Sequence, residues 1–371
     1  MLKGFMDHWV PTTRNISTFW KQDLDTATQL LDELRRDIDF DNVTFYTKWY
    51  TNGVKSNLPY LHNHPESSNV KTGNEWGRQL MRHLHESGVT VGSMIQFLTY
   101  EANVWEADMT IDEWDVRHVA ETELPTSIAD FTDPRFQQRV KQIVIEQLSE
   151  FPEFDYLFLE FEGLKPAACK ALYAKWAPQH GYPEAGEVHY DADKLSRCER
   201  LGVQEGDRFI WSDEAQAMMS HYYKLNLQAV KEAIDEVGFR GQVGVVIYVC
   251  GYETYIYPSI LPDPGWWLVP WVYLPKKTSA VAEQRKQIAM KLMAEWKRDG
   301  FKQCYIGDVT IEGNNADIRE LYRYCEQLQL DMYLGMGNPT PGIGLKWLSI
   351  SEADVLEARD LYKQLYNREG S

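Results

Sequence analysis

The 371-residue chain has five cysteines, Cys169, Cys198, Cys250, Cys304 and Cys325, with no Cys-x-x-Cys or Cys/His finger spacing. An odd, scattered set of this kind argues against a disulfide framework or a structural zinc site. Cys250 and Cys304 fall in apolar runs and read as small core hydrophobes. Basic residues are in deficit, 38 Lys and Arg against 55 Asp and Glu, for a formal net charge of −17. A general nucleic-acid binder needs a basic surface that releases counterions, so no nucleic-acid partner is expected. No apolar run is long enough to span a bilayer, and no secretory segment precedes the first apolar run. The expectation is therefore a cytoplasmic protein with no membrane partner. A Gly-rich phosphate turn after a strand is missing as well. The nearest candidate, Gly335-Met336-Gly337-Asn338-Pro339, runs on into Pro341 rather than into a helix, which disfavours a dinucleotide-binding open sheet. No internal repeat or low-complexity tract stands out.

What is present is a beat. Eight short apolar runs, at 4–10, 43–50, 89–100, 156–163, 243–253, 266–274, 304–310 and 332–337, alternate with amphipathic helical stretches. That alternation predicts an α/β fold of the (β/α)8 barrel type, a single catalytic domain over residues 1–371. Helices are expected at about 17–38, 74–86, 133–151, 166–176, 213–237, 279–299, 316–328 and 351–367. The Asp133-Pro134 pair suits a helix start. Residues 163–211 form the longest insertion, and a segment after a strand on such a barrel is expected over the mouth, contributing to the pocket. Residues 254–264 are too short and Pro-rich for a full helix, so the fifth and sixth strands are expected to be joined by an irregular loop.

A barrel places its chemistry where the strands stop. In the fourth run, alternation puts Tyr156, Phe158, Glu160 and Glu162 on one face and Leu157, Leu159 and Phe161 on the other. The all-apolar set should meet helices, and the set ending in two carboxylates should face the barrel interior. Carboxylates two residues apart on a strand lie roughly 7 Å apart at Cβ, close enough for repulsion and burial to keep one protonated. Such an acid is what protonation of a leaving-group oxygen requires. The seventh run adds Asp308 and Glu312, of one parity, near Gly307 and Gly313. An acid on one side of the mouth and a base or nucleophile on the other would suit attack on a sugar ring.

Other strand ends offer a ring of polar groups interleaved with aromatics: Asp7, His8 and Trp9; Lys48 and Trp49; Gln96, Tyr100 and Glu101; Tyr252 and Glu253; Trp271 and Tyr273; Asn338. The chain holds 13 Trp and 21 Tyr, whose flat faces with a polar handle match the C–H face of a sugar. His62 and His64 have a spacing compatible with zinc, but no third ligand can be named, so they are expected to line the pocket or its loop. No metal and no cofactor is expected.

The run Phe154-Asp155-Tyr-Leu-Phe-Leu-Glu160-Phe-Glu162-Gly resembles the "aspartate, bulky apolar run, acidic end" of several (β/α)8 glycoside hydrolase families. In those families an acidic residue at this strand end is the acid or the nucleophile, which the resemblance maps onto Glu160 or Glu162. The Asn-Glu pair of the largest retaining clan is absent here, as is the chitinase-type Asp-x-x-Asp-x-Asp-x-Glu, although Glu-x-Glu is similar to its last two acids. The expectation is a glycosidase acting on a carbohydrate, with one of Glu160 and Glu162 as general acid and Asp308 or Glu312 as base or nucleophile. Two alternatives stand beside it. One is a sugar isomerase, epimerase or lyase using His8, Lys48 or the His62/His64 pair, with or without a divalent metal. The other is a carbohydrate-binding barrel without chemistry.

Overall fold

Each of the eight apolar runs forms a parallel strand, and the eight strands close into a barrel with helices between them, a (β/α)8 architecture. The computed structural model describes residues 1–8, 23–48, 70–97, 99–101, 126–128, 131–161, 166–249, 251, 258–272, 280–307, 315–335, 337–340 and 352–367. The strands are β1 (Leu2–His8), β2 (Asn42–Lys48), β3 (Thr90–Gln96), β4 (Thr99–Glu101), β5 (Thr126–Ile128), β6 (Tyr156–Glu160), β7 (Gln242–Tyr248), β8 (Trp267–Val272), β9 (Cys304–Gly307) and β10 (Met332–Gly335). The described helices are α1 (Leu24–Asp37), α2 (Val70–Glu86), α3 (Pro134–Glu150), α4 (Pro166–His180), α5 (Ala192–Leu201), α6 (Asp213–Val237), α7 (Ala280–Arg298), α8 (Asn315–Gln327) and α9 (Glu352–Tyr366). Neighbours around the barrel follow chain order, β1, β2, β3, β6, β7, β8, β9, β10, and β10 closes on β1 with Leu2 opposite Met332.

Local signals explain the boundaries. Asp23 caps α1 by accepting the Thr26 N–H at 2.8 Å, so this helix begins at Leu24, and the expected start near residue 17 lies outside the described residues. Pro134 opens α3 as expected. Ser212 caps α6, and Gly238, at φ 69°, ends it in the left-handed conformation that glycine adopts without strain. The run 89–100 does not stay one strand. Its ladder partner β6 ends at Glu160, whose carbonyl accepts the Phe97 N–H at 3.0 Å, and β4 then pairs antiparallel with β5. The run 243–253 stops at Tyr248, where the Gly251 N–H donates to the Tyr248 carbonyl at 2.7 Å and turns the chain. The described residues of the β7–β8 connection, 258–266, form turns and no helix.

Alternation sorts the strands' side chains into two cores. Met6, Met94, Tyr156, Phe158, Val246, Trp267, Val269, Trp271, Cys304, Ile306, Met332 and Leu334 fill the interior. Residues of the other parity, such as Leu157, Leu159, Val243, Val245 and Leu268, pack against the helices. Small residues make room for large ones inside. A Cβ on Gly92 would lie 1.8 Å from Tyr156 Cε2, because that buried ring crosses over the glycine opposite it in register. The Tyr156 hydroxyl is held by Thr44 Oγ1 and Asn42 Oδ1, each at 2.6 Å.

The described residues of the 163–211 insertion pack into the outer core of the barrel. Tyr173, Trp176, Cys198, Phe209, Ile210 and Trp211 join the outer core with Leu268 and Trp296. Helix α5 packs against α7. Its buried Arg197 donates to the Val249 carbonyl at 2.7 Å, just past β7. These contacts cover the side of the barrel beside β7 and β8, which is why apolar residues recur in so long a segment. Among the described residues no helix is long and apolar enough to cross a membrane.

Candidate active site

The interior ends, at the carboxyl side of the strands, in a polar and aromatic row on four adjacent strands. On β6 the parity of Tyr156 and Phe158 carries Glu160 into the interior, where it is fully buried. On β3 the parity of Met94 carries Gln96 inward, and Gln96 lies opposite Glu160 in the β3–β6 register. On β7 the parity of Val246 brings Tyr248 inward, and its hydroxyl donates to Glu160 Oε1. On β8 Trp271, also buried, stacks on the Tyr248 ring with centroids 5.2 Å apart and planes at 23°. The stack fixes the tyrosine ring, and the ring aims its hydroxyl at the carboxylate. Donation to a carboxylate steadies its charged form. The row therefore offers one buried carboxylate with a fixed donor, one amide and two aromatic rings within neighbouring strands.

A second pair of predicted residues meets across the closure of the barrel. Asp7 and Asn338 are both buried, and Asn338 Nδ2 donates to Asp7 Oδ2 at 3.3 Å. Asn338 Oδ1 in turn accepts the Thr340 N–H at 2.9 Å. Asp7 shares the parity of Phe5, which packs in the outer core. Alternation thus sets this carboxylate on the helix side of β1, where it ties β1 to the segment after β10.

The other predicted residues are distributed as follows. His8 and Lys48 end β1 and β2, and Tyr100 and Glu101 lie on β4, off the barrel; of these four, no side chain is among those described. Trp9, Trp49, His62, His64, Glu162, Tyr252, Glu253, Tyr273, Asp308 and Glu312 lie outside the described residues. No group of three or more His, Cys, Asp or Glu side chains placed to hold a metal ion occurs among the described residues. Sequence reasoning missed Tyr248, because it took the run to continue to residue 253 and looked for polar groups there. The signal was available in the alternation Gly244, Val246, Tyr248, which gives the tyrosine the inward parity.

No protein-family model matches the chain, and no curated protein matches it in sequence. Solved structures match its fold. The catalytic domain of β-amylase from Paenibacillus polymyxa aligns at TM-score 0.55 and 9% identity, over 98% of this chain and 97% of that one. A GH5-4 broad-specificity endoglucanase from Clostridium acetobutylicum aligns at TM-score 0.52 and 8% identity, over 99% and 97%. A GH20 exo-β-N-acetylglucosaminidase from Vibrio harveyi aligns at TM-score 0.51 and 11% identity, over 99% of this chain and 54% of that one. At these identities the likeness establishes the barrel fold and assigns no family.

Proposed function

We propose that the chain is a glycoside hydrolase, one catalytic domain that cleaves a glycosidic bond of a carbohydrate by carboxylate catalysis at the carboxyl end of the barrel. The observation that carries this reading is Glu160, a fully buried carboxylate at the end of a barrel strand, held by the Tyr248 hydroxyl beside Gln96 and Trp271. A carboxylate is costly to bury, and chemistry at strand ends is where barrels place such groups. The glycosidase names of the structural neighbours support the same class. In this reading Glu162, two residues after Glu160 in the sequence, is the general acid that protonates the leaving-group oxygen. Glu160 is buried and accepts the Tyr248 hydroxyl. Asp308 or Glu312, after β9, supplies the base that activates water or the nucleophile that forms a glycosyl intermediate.

Rates on natural oligosaccharides and on activated aryl glycosides test the assignment. Glu162→Gln should slow natural substrates by about 10²–10⁴-fold and aryl glycosides far less, since a good leaving group needs little protonation. Glu160→Gln should slow both. Equal slowing of both substrates by Glu162→Gln, or selective loss only in Glu160→Gln, reverses the two roles. Full turnover in both variants refutes the reading.

A further inference from the structure

We infer that the Gln96 side-chain amide takes a hydroxyl of the bound sugar beside Glu160, and so determines which ring hydroxyl the site demands. The inference rests on the carbohydrate reading above and adds a specificity determinant to it. Gln96 is only 6% exposed, yet its Oε1 atom is buried without a hydrogen-bond partner. A buried acceptor with no donor is destabilising, and most such groups in folded proteins are satisfied.

Two described donors on the neighbouring residues are engaged elsewhere. The Tyr248 hydroxyl is given to Glu160 Oε1, and the Phe97 N–H to the Glu160 carbonyl. The amide is therefore an acceptor held ready inside the barrel, opposite the buried carboxylate in register and on the next strand, about 5 Å away. A sugar ring seated at Glu160 presents O–H donors at that separation. An apolar ligand would leave the amide oxygen unsatisfied, so the group selects for a hydroxyl at one ring position.

The variant Gln96→Met keeps length and removes the polar atoms. Two measurements decide the matter. In thermal unfolding without ligand, Gln96→Met should leave Tm unchanged or raise it by about 1–4 °C, because it removes an unsatisfied group. A clear fall in Tm would mean that the amide is already partnered in the folded chain, and would overturn the inference.

In calorimetric binding, the probes are D-glucose, D-galactose and D-xylose with their singly deoxygenated derivatives. Wild type should lose about tenfold or more in Kd when one particular hydroxyl is removed, and Gln96→Met should bind that sugar and its deoxy derivative within about twofold. A preference that survives intact in Gln96→Met overturns the inference while leaving the carbohydrate reading standing. Failure of every probe to bind the wild type refutes both together.

Discussion

The bond between Tyr248 and Glu160 can be measured without any substrate. Tyr248→Phe removes one oxygen and keeps the ring, so the stack on Trp271 at 5.2 Å survives while the donor to Glu160 Oε1 is lost. Glu160→Gln keeps the shape and removes the charge. A hydrogen bond to a charged group contributes about 1.5–3 kcal/mol, and a buried carboxylate deprived of a donor loses at least that much. Tyr248→Phe alone should therefore lower the unfolding free energy by about 2–3 kcal/mol at neutral pH. In the double variant the loss attributable to the hydroxyl should shrink, giving a coupling energy of about 1–2 kcal/mol from urea unfolding of the four proteins. A coupling below about 0.3 kcal/mol, the additivity expected of independent sites, would refute the claim that hydroxyl and carboxylate act as one unit.

The barrel floor, the outer helices and the acid limb of stability yield three further expectations. Gly92→Ala drives a Cβ into the buried Tyr156 ring and disturbs its bonds to Thr44 and Asn42, so it should cost about 2–5 kcal/mol in denaturant unfolding, whereas Gly186→Ala, with open space around it, should fall within about 0.5 kcal/mol of wild type. Lys286, 6% exposed at the side chain, bridges Asp317 at 2.8 Å, Glu320 at 2.6 Å and Glu283 at 2.8 Å; Lys286→Met strands the largely buried Asp317 carboxylate and should cost about 2–4 kcal/mol by the same assay. Bonds from Lys363 and then Arg359 hold the Asp37 carboxyl below its ordinary value of 3.8. Its contribution is thus complete above that value and is lost as pH falls through the lower folded value, so Asp37→Asn should reduce the stability difference between neutral pH and about pH 2 by up to ~1 kcal/mol, the partial exposure of the pair limiting the effect.

The order of elements was legible because it is written in local periodicity. All eight apolar runs became barrel strands, and the bounds of α6 and the start of α3 were set by Ser212 and Pro134, signals that act within a few residues. Parity also told which face of β6 would look inward, since side chains on a strand alternate whatever surrounds them. The ends of runs were less legible. Where β3 and β7 stop depends on where their neighbours offer a ladder, and the Glu160 carbonyl and the Tyr248 turn decided that. Tyr248 was passed over for this reason, and the outer-core packing of the insertion's described residues could not be read because partners such as Leu268 and Trp296 lie far along the chain.

The sequence by itself determined the alternation, the faces and the presence of acidic residues at two strand ends. Only the tertiary structure decided which of those groups meet: Glu160 with Tyr248 across 88 positions, and Asp7 with Asn338 across 331. Barrel closure is the physical reason. It converts the register of each strand pair into a position around a ring, and that register is fixed by hydrogen bonds between segments that carry no local trace of one another.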